Sequence, residues 1–530
     1  MENSTHEDFK QNEHKMQLRM NFNVDTYIPE DSKVRLVCNI VEEMNLKSVL
    51  STCHHRGRKP VVDPISMLKI IFYCYSERIF TSRSIEDFCI YDTRAHYVLQ
   101  GQKAPDHSSI NRFRKVLKPH NTELLTQFVE MLIEEGHVDL KSIFIDGTKL
   151  ESAAGRYSFV WRKSVEKHLQ KLVERMIQEM GLPEKSTVPE VILAVQKEFN
   201  RIRNTCKKEH IVFVHGTGTR KNQLQRDYEH YEEVVERFSA YQEHLRIMGV
   251  RNSYSKTDHD ATFMRMKEDH MMNGQLKPAY NIQFASSGAF IVGVMGSQKA
   301  NDLHTLIAFL DQMMPRYGNY LDKIVADAGY ESVENYDYLK QHNLKAYIKP
   351  VNYEQSKKKK VREDIGRREN MEYLREEDAF LCKNGKKLFR IKDSYRVYDS
   401  GYKDTIINYR CNECAGCPLI KQCIKSRKET TAKPSCKSFT FSPAFEKYRQ
   451  ESYENITSED GIIQRVNRSI QAEGMFSKLK DGQGYDRFRH RGLDNAVADV
   501  TLMAIGININ KLHSKIKKQQ EGVILYKKSA

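Results

Sequence analysis

The sequence predicts an α/β protein in which a mixed sheet covered by helices follows an all-helical amino-terminal region and is interrupted by two long insertions. Three observations lead there. Apolar residues recur at helical spacing up to about residue 138, and from residue 141 the pattern becomes that of strands. The elements beyond that switch run strand, strand, strand, helix, strand, helix, strand, the order of a sheet with helices on its faces. Two apolar runs also end alike: SIFIDGTKL (142–150) and KIVADAGY (323–330) each carry a strand into an aspartate closely followed by a glycine.

In the helical region, Asp63-Pro64 sets a capping residue before a proline at the first helical position, and Ile65, Leu68, Phe72 and Tyr75 follow at helical spacing. A second helix is expected to open at Ser84 and to carry Ile85, Phe88 and Cys89. A third follows Asp106, with Ile110, Phe113 and Leu117 expected inward and Asn111, Arg112, Arg114 and Lys115 outward. A basic outer face of this kind either enters a DNA groove or is simply solvated, and Arg112, Arg114 and Lys115 are the candidate DNA contacts.

Strands are expected at 142–146, 278–285 (PAYNIQFA), 289–296 (AFIVGVMG), 323–327 and 345–348, with Ser-Ser-Gly as a hairpin turn between the second and third. Asp302 is expected to cap a helix holding Leu303, Leu306, Phe309 and Leu310, and a further helix lies at 333–342. Residues 164–249 read as a helical hairpin, with Val165, Leu169, Leu172 and Met176 on one arm and Tyr231, Val234, Phe238, Tyr241 and Leu245 on the other. Within it, HGTGTRK (215–221) fits neither the phosphate-loop nor the dinucleotide template. The second insertion, 351–459, opens on the charged run SKKKKVREDIGRRE.

Lys and Arg outnumber Asp and Glu by 85 to 70 in 530 residues, a net charge of +15, which favours a polyanionic partner such as nucleic acid. The amino terminus, MENSTHEDFKQNEHK, lacks the basic and apolar regions of a signal peptide, and no apolar run reaches the roughly 18 to 20 residues of a membrane helix. A cytoplasmic protein without membrane partners is therefore expected, with its eleven cysteines as thiols or metal ligands rather than disulfides. CNECAGCPLIKQC groups Cys411, Cys414, Cys417 and Cys423, and its C-x-x-C turns let thiolates converge on one tetrahedral ion. A structural Zn²⁺ is the preferred reading, with unmetallated thiols and an iron–sulfur cluster as alternatives; Cys382 and Cys436 flank the group and either could replace one ligand.

If the first and fourth strands are neighbours, Asp146 and Asp327 approach each other, and two such carboxylates call for a cation, naturally Mg²⁺. Each aspartate alone is equally an ordinary turn residue. A third acid adds weight: after a capping-box-like start at Thr457 and Asp460, the stripe Ile463, Val466, Ile470, Phe476 and Leu479 places Glu473 on the expected buried face of a helix. The alternative is an edge residue paired with Arg465 or Lys480.

A sheet with Asp on its first and fourth strands and Glu on a later helix resembles the ribonuclease H-like core of DDE transposases. More specifically, the chain is similar to bacterial insertion-sequence transposases that join a helical domain containing DHSSINRFRK to a core containing FIDGT, YNIQ, ADAGY and a late E-x6-K, over about residues 30–513. The resemblance implies a helical DNA-binding domain at 1–138, a ribonuclease H-like core from 139–163, 250–350 and 460–513, the helical-hairpin insertion at 164–249, the cysteine-rich insertion at 351–459 and a basic tail at 514–530. It implies that Asp146, Asp327 and Glu473 hold two Mg²⁺ or Mn²⁺ ions, one activating water or a 3′-hydroxyl and the other stabilising the leaving oxygen. Lys480 matches the lysine of the family's Y-R-E-K signature and would contact phosphate; where the arginine belongs stands Ser469, with Arg468 beside it as the candidate, and the tyrosine is missing. KTDHDATFMRMK (256–267) is similar to a segment before the family's second strand, and its Asp258 and Asp260 are expected in a polar turn. The implied partners are double-stranded DNA, both terminal inverted repeats and target, and a second copy of the chain on paired ends, in a nucleoid-associated cytoplasmic protein. Two other classes compete: a nuclease of the same fold without strand transfer, and a domesticated DNA-binding regulator for which the acids serve nothing.

Overall fold

The computed structural model describes residues 24–53, 60–215, 221–266, 274–425, 436–474, 485, 487–520 and 522, with the backbone alone at 472 and 473. The chain divides into two compact units, one of Met1–His120 and Ile505–Gln520, the other of Asn121–Ala504 and Glu521–Ala530. No helix among the described residues is long and apolar enough to cross a membrane.

The first unit is helical. Its central helix, Pro64–Ser76, starts where the Asp63 carboxylate accepts the N–H groups of Ile65 and Ser66 at 2.9 and 3.0 Å. Leu68, Ile70, Ile71, Phe72 and Tyr75 are all fully buried, so this helix is enclosed on several faces. The last helix, Leu493–Lys517, passes close to it at Gly506, where a Cβ would meet the Tyr75 backbone at 2.8 Å. The helix expected from Ser84 begins earlier, at Ser82, because Thr81 is its cap and accepts the Ser84 N–H at 3.0 Å. In the third helix, His107–Leu117, Ile110 and Leu117 are buried and Phe113 is half-buried.

Arg114 departs from the outward placement expected of it. Its guanidinium bonds the Phe80 carbonyl at 2.6 Å and the Tyr75 hydroxyl, lying over the Tyr75 ring. Helical geometry supplies the reason: residue 114 is four after Ile110 and three before Leu117, on the same inward stripe. Arg112 and Lys115 are exposed.

The second unit is built on a mixed sheet. In chain order its strands are β1 (Ser142–Glu151), β2 (Phe159–Trp161), β3 (Ser253–Ser255), β4 (Thr262–Arg265), β5 (Leu276–Ser287), β6 (Phe290–Ser297), β7 (Lys323–Ala326) and β8 (Lys345–Ile348). The main sheet runs β4-β5-β1-β7-β8, β6 pairs with β5, and β2 and β3 form a separate ribbon. Each of the five expected strands is present; β2, β3 and β4 are additional. β1 is antiparallel to β5 and parallel to β7, which is parallel to β8. Helix Leu306–Tyr317 joins β6 to β7, and Val333–Gln341 joins β7 to β8, the helical crossover that parallel neighbours require.

Helix Pro443–Thr457 closes the β8 edge. The Ser452 hydroxyl accepts the Ile348 N–H at 3.1 Å and donates to the Ile348 carbonyl at 2.8 Å, while Asn455 donates to the Ala346 carbonyl at 3.0 Å. These side chains satisfy edge groups that would otherwise template another strand. The next helix, Glu459–Arg468, follows almost without a break, capped by Ser458 rather than Thr457: the Ser458 hydroxyl accepts the Gly461 N–H at 3.0 Å. A Cβ on Gly461 would clash with the Asn455 carbonyl and stand 2.6 Å from the Ile456 Cα, both backbone. Gly461→Ala is therefore expected to cost about 2 kcal/mol or more in urea unfolding, and a variant as stable as wild type would show that the two helices do not meet this tightly.

The apolar stripe expected on Glu459–Arg468 faces the other way. Val466 and Ile470 are 37% and 55% exposed, while Gly461, Gln464, Asn467 and Gln471 are buried. The reason is tertiary: this helix meets the sheet through polar and small residues, so hydrophobic periodicity picks the outer face.

The region expected as a hairpin contains three helices, Arg162–Met180, Val188–Lys208 and Gln223–Met248. They share a core of Leu172, Val173, Met176, Val191, Ile192, Val195, Val234 and Phe238. The middle helix starts at a capping box of Thr187 and Glu190, two residues whose spacing signals a helix start. Farther along lies a second sheet, β9 (Glu372–Leu374), β10 (Ala379–Leu381), β11 (Lys387–Arg390), β12 (Ser394–Val397), β13 (Lys403–Arg410) and β14 (Ser438–Phe441), ordered β12-β13-β11-β10-β9 with β14 on β13. Phe380, Leu388, Tyr409 and Cys411 form its core.

Candidate active site

The parallel ladder between β1 and β7 pairs Ser142 with Lys323, Ile143 with Ile324 and Phe144 with Val325. Continued two residues farther, that register sets Asp146 of β1 level with Asp327, just past the end of β7. Asp146 lies inside β1, is 8% exposed, and takes the Gly147 N–H on Oδ1 at 2.8 Å. Asp327 follows the last residue of β7 and caps a short 3₁₀ turn, Ala328–Tyr330, through the Gly329 N–H at 2.7 Å. The same local device holds both carboxylates, each with one oxygen tied to backbone.

Arg468 reaches the pair from helix Glu459–Arg468. Its Nη2 lies 3.0 Å from Asp146 Oδ2 and 3.8 Å from Asp327 Oδ2. Both acids thus turn an oxygen toward one point, and a positive charge occupies it. The helix is docked on the sheet by Asp460, whose carboxylate bonds Lys323 at 2.9 Å and the Tyr347 hydroxyl at 2.7 Å. Directly after Arg468 the helix widens into a π turn, Ser469–Glu473, a form that recurs at functional sites. Glu473 is the last residue of that turn; its side chain, like the whole of Lys480, lies outside the described residues.

A third aspartate, Asp302, adjoins the pair and carries a different role from the helix cap expected of it. Asn301 caps the 3₁₀ turn Asp302–His304 instead. Asp302 Oδ1 accepts the Asn281 amide at 2.7 Å and the Gln283 amide at 2.9 Å. Gln283 in turn accepts the Tyr330 hydroxyl on Oε1. Asn281, Gln283 and Tyr330 are buried, and burial raises the Tyr330 hydroxyl well above the ordinary tyrosine range, with Asp302, Asp146 and Asp327 pushing it the same way. The glycines after the two site aspartates make room for this arrangement. A Cβ on Gly147 would stand 2.6 Å from Asp302 Oδ1, and one on Gly329 would stand 2.9 Å from Asp327 Oδ1 and 3.7 Å from Asp302 Oδ2. The signal in the sequence was two amides, two residues apart, on one face of the otherwise apolar strand PAYNIQFA, because buried amides require partners.

Asp258 lies in the expected polar turn, 4% exposed, bonded to the Tyr280 hydroxyl at 2.6 Å, the Ser152 hydroxyl and the Gly492 N–H at 3.2 Å. The cysteines gather elsewhere. Cys382, Cys411, Cys414, Cys417 and Cys423 line one cavity together with Lys386 and Lys437. Burial pushes the Cys414 thiol up to about 11, and the neighbouring Cys411 thiol adds to that shift. Among the described residues no three His, Cys, Asp or Glu side chains converge closely enough to hold a metal ion.

A helical amino-terminal unit followed by a unit of mixed sheets is consistent with a transposase. Two family models match the chain: Transposase domain (DUF772) over residues 22–116 and Transposase DDE domain over residues 381–513. Together these matches indicate an insertion-sequence DDE transposase. No curated protein and no solved structure matches the chain.

Proposed function

We propose that this transposase cuts DNA at the ends of its element and joins the freed strands to target DNA, using divalent cations held by Asp146, Asp327 and Glu473. The observation that carries the reading is the contact of one Arg468 nitrogen with both Asp146 and Asp327, which marks a point between two carboxylates where positive charge is favoured. The donors are hard oxygens, and their chemistry fits Mg²⁺ or Mn²⁺. A cation bound there would polarise the scissile phosphate and raise the nucleophilicity of the attacking oxygen. Asp146 and Asp327 supply the negative charge and, through their bonds to Gly147 and Gly329, a fixed orientation. Arg468 compensates that charge until the cation and DNA enter. Lys480, together with Arg112 and Lys115 of the helical unit, would bind phosphates; Arg114 serves the fold instead. A second copy of the chain, one on each end, completes the assembly.

Excision in cells from a plasmid carrying the gene with its native flanking DNA tests this reading, comparing wild type with Asp327→Ala. Resealed donor or joined ends from the wild type alone support transposition. Cut but unjoined ends point to a nuclease, and binding of the flanks without cutting by either protein removes the catalytic role from the aspartates.

The soft sulfur donors Cys411, Cys414, Cys417 and Cys423, with Cys382 on the same cavity wall, are of the kind a structural Zn²⁺ takes, and closing them on one ion would require the thiols to draw together from where they stand. Purified protein is expected to carry about one zinc per chain by elemental analysis, and Cys414→Ser to lose most of it. Metal-free protein, or brown protein containing iron, would remove the zinc assignment.

A further inference from the structure

We infer that Asp302 is a positioning residue of the candidate cation site, its anchored carboxylate holding, through water, the cation that Asp146 and Asp327 ligate. The inference rests on the reading of that pair as a cation site.

Four features assign Asp302 this part. Its backbone is pinned, since its carbonyl accepts the Thr305 N–H at 3.0 Å and the Thr305 hydroxyl at 2.7 Å. Its Oδ1 is committed to two buried amides, Asn281 at 2.7 Å and Gln283 at 2.9 Å, and those amides are linked to each other at 3.0 Å. Their orientation is not arbitrary, because the Tyr330 hydroxyl fixes which end of Gln283 accepts, and Tyr330 belongs to the turn that Asp327 caps. Its Oδ2 lies near Gly329, 3.7 Å from where a Cβ on that residue would stand, and the Gly329 N–H holds Asp327. The network therefore spans β5, the Asp302 turn and the Asp327 turn, and Asn335 ties the last two together through the carbonyls of Leu303 at 3.0 Å and Tyr330 at 2.7 Å.

Tying up one oxygen with two amides is wasteful for a helix cap and useful for an outer ligand whose charge must be held in place. The two amide bonds to Oδ1 lock its rotamer, so the carboxylate stays beside the Asp327 turn instead of swinging to solvent. The three acids do not stand close enough to ligate one ion together, which assigns Asp302 a role through water rather than direct ligation. Such outer partners typically change metal affinity by about 10- to 100-fold.

Mn²⁺ binding to the full chain without DNA, followed by calorimetry and by melting with and without Mn²⁺, separates the possibilities. Asp302→Asn keeps the shape and removes the charge; it is expected to raise the Mn²⁺ Kd roughly tenfold and to shrink the Mn²⁺-induced rise in Tm, with the cation-free Tm near wild type. A residue that serves only the fold would lower both melting curves and leave the Mn²⁺ increment intact, which overturns the inference. Asp302→Glu, restoring charge on a longer arm, is expected to recover part of the affinity; equal weakness in the two variants overturns it as well. Asp327→Asn is the reference. If it abolishes Mn²⁺ binding while Asp302→Asn binds as wild type, the inference on Asp302 falls and the site stands. If Asp327→Asn binds Mn²⁺ as well as wild type does, the site reading itself falls and takes the inference with it.

Discussion

Asp327→Asn is expected to lower excision by about 1,000-fold or more, a loss of roughly 4 kcal/mol of transition-state stabilisation, with little change in folding. The substitution is mild in every respect but charge. An asparagine oxygen can still accept the Gly329 N–H, so the 3₁₀ turn Ala328–Tyr330 keeps its cap. The side chain of Asp327 is 39% exposed, and its contact with Arg468 is long at 3.8 Å, so losing that pair costs at most about 1 kcal/mol. Asp146→Asn is expected to give the same loss of excision, and the double variant no further loss, because the two groups act as one unit. Excision assays alongside circular dichroism melting check this. Retention of a tenth or more of wild-type excision in either single variant would mean that these aspartates do not carry the chemistry.

Arg449→Ala is expected to destabilise the second unit by about 3–5 kcal/mol. Glu331, four residues after Asp327, has a side chain 1% exposed, and Arg449 binds it at 2.8 and 3.3 Å through two nitrogens. The Val351 N–H adds a bond at 2.8 Å. Removing the guanidinium strands a carboxylate in a dry site, and the cost is that of the unpaired charge rather than of the pair. Replacing both partners, Glu331→Gln with Arg449→Ala, is expected to recover more than half of the lost stability, and a urea-unfolding double-mutant cycle measures the coupling. Additive losses would show that the pair is not the link between the Asp327 turn and helix Pro443–Thr457. Because Glu331 anchors the turn that begins at Asp327, Arg449→Ala is also expected to lower excision beyond what its folded fraction explains.

How the site reads from sequence depends on the residue. Asp146 and Asp327 were legible because each ends an apolar run with a turn-forming glycine nearby, a pattern of local chain chemistry. The five strands and both crossover helices were legible for the same reason, since period-2 and period-3.6 patterns survive wherever an element buries an apolar face. Charge places Arg114 outward, whereas its spacing from Ile110 and Leu117 points inward, and the structure follows the spacing. The helix before Glu473 departs from its pattern in the opposite sense: its stripe of Ile463, Val466 and Ile470 is real, but Gln464, Asn467 and Gln471 are the buried residues. Asp302 reads from sequence as a cap, as any aspartate before a helix does, and only its bonds to Asn281 and Gln283 reveal the other use.

By itself the sequence determined the α/β class, the sheet elements, the two aspartates that close apolar runs and the cysteine group, because each is written in short-range spacing. Tertiary structure alone decided that β1 and β7 are neighbours in a register that sets Asp146 level with Asp327, that Arg468 stands between them and that Asp302 lies against Gly147. Those are contacts across 141 to 322 residues of chain, where no periodic pattern reaches and only strand pairing and packing choose the partner.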